Sequence, residues 1–156
     1  MMNLFKDEGV VYQEDEIWKN QKNMEWHDYP IRIEGIIEER ISNLEDSLME
    51  ILSHASVQGP NFILQVLSRT LNESEWNLLM SLSKKLQKQH HLAMEGDCVR
   101  TGKQFVSKFY FSNYIFQQYI YQELSLTQRM VLHSDIATIL QELFKDKIEE
   151  MAGDIA

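Results

Sequence analysis

The chain has 156 residues, 44% hydrophobic and 25% charged, a balance that suits one ordinary globular core without disulfides or metal and argues against a disordered or membrane-embedded chain. Twenty-four acidic against fifteen basic residues give a formal net charge of −9, which repels phosphate backbones over most of the surface and leaves only a local basic face for nucleic acid. Cys98 is the only cysteine, the N-terminal MMNLFKDEG lacks a secretory apolar core, and no run reaches membrane-spanning length; a free thiol, a cytoplasmic location and no membrane partner are expected.

Residues 10–20, VVYQEDEIWKN, place two apolar runs around Glu14-Asp15-Glu16, the pattern of a small hairpin with a charged tip. Pro30 suits a first helical position, and Ile33, Ile36, Ile37, Ile41 and Leu44 follow at helical spacing, which predicts a first helix over 30–44. Leu44, Leu48, Ile51, Leu52 and Ala55 form the stripe of a second helix, stopped by Gly59-Pro60. Phe62, Ile63, Val66 and Leu67 read as a short third helix. Asn72, with Glu75 three residues on, reads as the cap of a fourth, which carries Trp76, Leu79, Met80 and Leu86 and ends near His90-His91.

The texture then changes. LAMEGDCV and QFVSKFYF are strand-like runs separated by the turn-rich RTGK, a second hairpin. From Asn113 helical periodicity returns through Ile115, Phe116, Tyr119 and Ile120. Ser125-Leu-Thr-Gln128 reads as a capping box for a last helix with the stripe Leu132, Ile136, Ile139, Leu140 and Leu143. The fold class expected is mainly α with small β. Helices followed by a β-hairpin have the order of a winged helix-turn-helix, here with an N-terminal β-hairpin and extra flanking helices. The domain reading is an N-terminal hairpin and linker over 1–29, a winged-helix core over 30–111, and C-terminal helices over 112–156 leading toward a helical-repeat region. The abrupt end at MAGDIA reads as a boundary inside a larger polypeptide.

No motif supplies catalysis. Gly96 to Gln104 has the look of a phosphate-binding loop, but its glycines are one residue too far apart. Gln104 replaces the magnesium-binding hydroxyl, and strand-like residues follow where a helix should begin. A wing-tip turn with Gly102 at a special dihedral fits better. His27, His54 and His133 are isolated and His90-His91 adjacent, so none forms a metal-ligand set. Glu34, Glu38, Glu39, Glu45, Asp46 and Glu50 read as a solvated face. The fragment is expected to be no enzyme and to hold no cofactor. Lys84, Lys85 and Lys88 on the fourth helix, with no acid from 81 to 91, and Arg100, Lys103 and Lys108 on the wing are the candidate contacts to DNA or a protein partner. Against DNA, the helix lacks base-reading Arg and Asn, and lysines near a helix C-terminus are favoured by the macrodipole anyway. The aromatics from Phe105 to Tyr121 are too many for one buried stripe, which leaves some for an interface.

The segment FYFSNYIFQQYIYQELSLTQRMVLHSDIATILQELF (109–144) matches a recurring pattern at Phe111, Gln118, Tyr121 to Leu124 and Arg129 to His133, and RIEGIIEERISNLEDSLMEILSHASVQGPNF (32–62) ends in an Ala-Ser-Val-x-Gly-x-x-Phe signature. Together these resemble the winged-helix region of bacterial STAND-type signalling ATPases. The resemblance implies a P-loop ATPase domain before Met1 that binds ATP or ADP, TPR-like repeats after Ala156, and a module that transmits nucleotide state by packing on the ATPase core. One departure stands out: the family commonly has a histidine opening the helix after the second wing strand, where it touches ADP phosphate. Here that position is Asn113, which lacks the positive charge of such a contact and doubles as a helix cap.

Overall fold

The structure, a computed structural model, describes residues 11–14, 17–20, 31–145 and 147. Asp15 and Glu16 of the expected hairpin tip, His27, Pro30 and the MAGDIA end lie outside the described residues. The chain divides into two units, one up to Ile36 and one from Ile37. In the first, β1 (Val11–Glu14) and β2 (Ile17–Asn20) pair antiparallel with Val11 opposite Asn20 and Glu14 opposite Ile17. The unit boundary falls inside α1 (Ile31–Ser42).

The second unit is mainly helical with a small three-stranded antiparallel sheet. Its order is α2 (Asp46–Gln58), β3 (Asn61–Ile63), α3 (Leu64–Leu71), α4 (Glu75–Met80, continuing as π-helical turns over Ser81–Gln89), β4 (Ala93–Thr101), β5 (Gln104–Phe111), α5 (Tyr114–Glu123) and α6 (Leu126–Leu143). The strands lie in the order β3-β5-β4. The core face of α2 is the stripe read from the sequence, with Leu48, Ile51, Leu52 and Ala55 all buried. The capping box at Ser125 and Gln128 forms in both directions.

Three local readings are corrected. Phe62 and Ile63 are not helical: Asn61–Ile63 pairs with β5, Phe62 opposite Phe109, and α3 starts only at Leu64. The pairing brings the Phe62 ring within 5.9 Å of Phe109 and 5.4 Å of Phe111, so ring burial outweighs the helical spacing of the local sequence. Asn72 does not open α4 but closes α3 in the left-handed region at φ 53, a conformation asparagine tolerates; Ser74 is the cap, its side chain accepting from Asn77 N. Trp76, placed by this cap in the first turn, is exposed rather than on the apolar stripe, which instead runs through Leu78, Leu82 and Leu86, all fully buried. In the π-helical turns each N–H reaches five residues back, as His90 N does to Lys85 O at 2.9 Å.

β4 bulges against β5 between Glu95 and Cys98. Gly96 sits in the bulge, where a Cβ would lie 3.2 Å from the Lys108 carbonyl oxygen, a spacing that favours glycine. Beyond the bulge β4 is exposed and the hairpin projects from the body, closed by Gly102 at φ 58. Gln65, 7% exposed, ties the β4–β5 hairpin to the helices: its Oε1 accepts from Ser107 N at 2.9 Å and its Nε2 donates to Glu75 Oε2 at 3.1 Å. Gln65→Leu keeps the volume but strands the Ser107 amide, so urea unfolding is expected to show a loss of about 1–3 kcal/mol. An unchanged midpoint would mean that water satisfies that amide.

Candidate functional site

Most of the six basic residues singled out by sequence stand apart from acidic neighbours. Lys85 Nζ lies 2.6 Å from Glu45 Oε2. Glu45 occupies the N-cap of α2 without making a side-chain cap bond, so its carboxylate is spent on the lysine. Lys84 and Lys88 are exposed on the same π-helical stretch, and Lys103 and Lys108 are exposed on β5 and its turn; none of these four forms an ion pair among the described residues. Arg100 Nε donates to Gly102 O at 3.3 Å, which folds the guanidinium over the wing tip. The glycine loop is thus a hairpin turn, with no helix N-terminus to meet a phosphate.

Asn113 is the N-cap of α5, its Oδ1 accepting from Ile115 N at 3.0 Å. Its side-chain oxygen thus closes the first turn of the helix.

The family-like residues of the C-terminal segment meet at the corner between α5 and α6. Arg129 donates from Nε to Tyr121 O at 3.0 Å and from Nη2 to Gln122 O at 2.9 Å, satisfying carbonyls at the C-terminus of α5, while its guanidinium lies 4.6 Å from the Tyr121 ring centroid. Cations are favoured at a helix C-terminus, and the ring adds a cation–π contact. Tyr121 Oη lies 3.1 Å from His133 Nε2, and the two rings pack edge to face. These residues fix the angle between two helices; the geometry gives them a structural role.

The feature that the sequence reading missed is a groove between α2 and α6. It encloses about 550 Å³ and is lined by Asp46, Met49, Glu50, Ser53 and His54 from one side and Leu124, Thr127, Gln128, Val131 and Leu132 from the other. The α2 residues recur at i, i+3, i+4, i+7 and i+8, one helical face. Because that face mixes acids with a methionine and a histidine, it reads as solvated, and Asp46 and Glu50 are indeed exposed. On the far wall Val131 is 54% exposed; Leu126 and Met130, elsewhere on α6, are exposed as well.

His54 is the one groove residue whose protonation is displaced. Burial holds its imidazole below the ordinary value of 6.5, with Glu50 and Asp135 opposing the shift, and its Nδ1 is buried with no hydrogen-bond partner among the described residues. No group of three His, Cys, Asp or Glu side chains that could hold a metal occurs among the described residues, nor is any helix there long and apolar enough to cross a membrane. No protein-family model, curated protein or solved structure matches the chain.

The depressed folded-state pKa of His54 means that the unfolded chain takes up a proton first as pH falls. Its contribution to stability is complete above pH 6.5 and is lost as pH drops through the folded-state value. The urea midpoint is expected to fall as pH drops below 6.5, and His54→Leu to flatten that fall. An identical pH profile in the variant would assign the loss to other groups.

Proposed function

We propose that this chain is a non-catalytic, winged-helix regulatory module of a larger STAND-type signalling ATPase or transcriptional regulator. It acts through contacts with a neighbouring ATPase core and TPR-like repeats of the same polypeptide. The observation that carries this reading is α6. Its inner side packs Ile136 and Leu143 into a cluster with Val57, Val66 and Val106, while Leu126, Met130 and Val131 remain in water. A helix apolar on two sides is built to be covered on both. The order helix, strand, helix, helix, hairpin, with the first strand beside the last, supports a winged helix. The α5–α6 corner built by Tyr121, Arg129 and His133 supports the family resemblance.

In this reading a cytoplasmic parent protein binds ATP or ADP outside this chain, and the module reports that state through its packing. The native polypeptide, isolated through an antibody to this segment, is expected to exceed the 18.5 kDa of the chain and to release an adenine nucleotide on denaturation. A native protein of the chain's own mass, carrying no nucleotide, would sink the proposal.

A second reading, a DNA-binding winged helix, draws on Lys84 and Lys88 beside a basic wing tip. Duplex affinity would then fall steeply with added salt, and Lys84→Glu with Lys88→Glu would weaken it by roughly tenfold or more at low salt. Undetectable or salt-independent binding of the unmodified chain rules this reading out.

A further inference from the structure

Two exposed features of the second unit are complementary in charge and in apolar character. The groove between α2 and α6 has an apolar lining of Met49, Leu124, Val131 and Leu132 and carries the carboxylates of Asp46 and Glu50. Ser53 Oγ already donates to Met49 O, and Gln128 Oε1 already accepts from Ser125 N, which leaves the two carboxylates uncompensated by any ion pair among the described residues. A ligand that fits must therefore bring an apolar body and a cation.

The wing tip has that chemistry. Phe105, the second residue of β5, is 65% exposed. It sits directly opposite Arg100 in the strand register, so the two side chains share one face of the hairpin. Lys103 projects from the turn between them. Among the exposed large apolar residues, which include Trp76, Leu126 and Met130, Phe105 is the one that stands directly opposite a cation on a hairpin tip.

We propose that the wing tip of one copy docks in the α2–α6 groove of a second copy, Phe105 entering between Met49 and Val131 while Arg100 and Lys103 face Asp46 and Glu50. The contact is heterologous: each chain uses its wing once and its groove once, so association runs head to tail. A phenylalanine ring buries roughly 150–250 Å², and a groove of about 550 Å³ accommodates one ring with its flanking side chains. The surface involved is small, which places the contact in the weak, transient class. This inference does not depend on the parent protein being an ATPase.

The heterologous geometry supplies its own test. Sedimentation equilibrium of the 156-residue chain is expected to give a weight-average mass that rises with concentration above 18.5 kDa. Phe105→Glu, which spoils the wing, and Val131→Glu, which spoils the groove, each change an exposed residue and should preserve the circular dichroism spectrum. Each variant alone is expected to weaken self-association by roughly tenfold or more. Mixed together they should still form a one-to-one dimer, because the first retains a working groove and the second a working wing. Charge exchange gives a second arm: Glu50→Arg and Arg100→Glu each weaken association, and both changes in one chain restore part of it. A chain monomeric at every concentration overturns the proposal. So does association that survives either glutamate variant, or a mixture that stays monomeric while the unmodified chain associates.

Discussion

The backbone of β5 is hydrogen-bonded along both edges, to β3 through Phe62 and Phe109 and to β4 from Phe111 out to Gln104. Through β3 it is tied to the residues between α2 and α3; through β4, to the end of α4. Its far end carries the wing, and the chain leaves it directly into the α5 cap at Asn113. A strand so shared must present apolar residues on both sides. Accordingly Phe109 and Phe111 are buried on one side and Val106 on the other. The buried Gln65 side chain sits against this strand because Ser107 N would otherwise be left unpaired next to apolar neighbours.

How much of this was legible in the sequence depends on element length. The long amphipathic helices α2 and α6 and the hairpin of β4 and β5 announce themselves, since each repeats its period several times. β3 does not: three residues show no alternation, and Phe62 and Ile63 fit a helical stripe with Val66 and Leu67 equally well. Only the partner strand, more than forty residues away, decides between them. Asn72 and Ser74 illustrate a different ambiguity, because both residue types close or open helices and only the backbone dihedrals assign the roles. The π-helical turns of α4 left no readable mark, as Leu78, Leu82 and Leu86 are compatible with an ordinary helix.

The binding surface was less legible than the fold. The basic residues are visible as letters, yet their availability depends on tertiary neighbours: Lys85 lies against Glu45, forty positions earlier, and Arg100 folds onto its own turn. The groove is invisible from α2 alone, where acids at Asp46 and Glu50 look like any solvated face. It emerges only when α6 lies alongside and turns that mixed face into one wall of a cleft. The signal that was available is on α6, where Val131, a groove residue, falls outside the stripe that packs inward.

Charge then separates the surfaces by the partners they admit. A net charge of −9 on 156 residues keeps copies apart at long range, and the Debye length of about 8 Å at physiological salt confines any attraction to near contact. Under that constraint the cations beside the exposed Phe105 ring at the hairpin tip act only at near contact. Arg100 and Lys103 lie next to Phe105 at the end of the β4–β5 hairpin. The apolar ring supplies short-range affinity and the cations let it approach an acidic groove, and neither would suffice alone. An acidic module with one basic, aromatic tip is thereby disposed to seek acidic, apolar clefts and to avoid phosphate backbones over the rest of its surface.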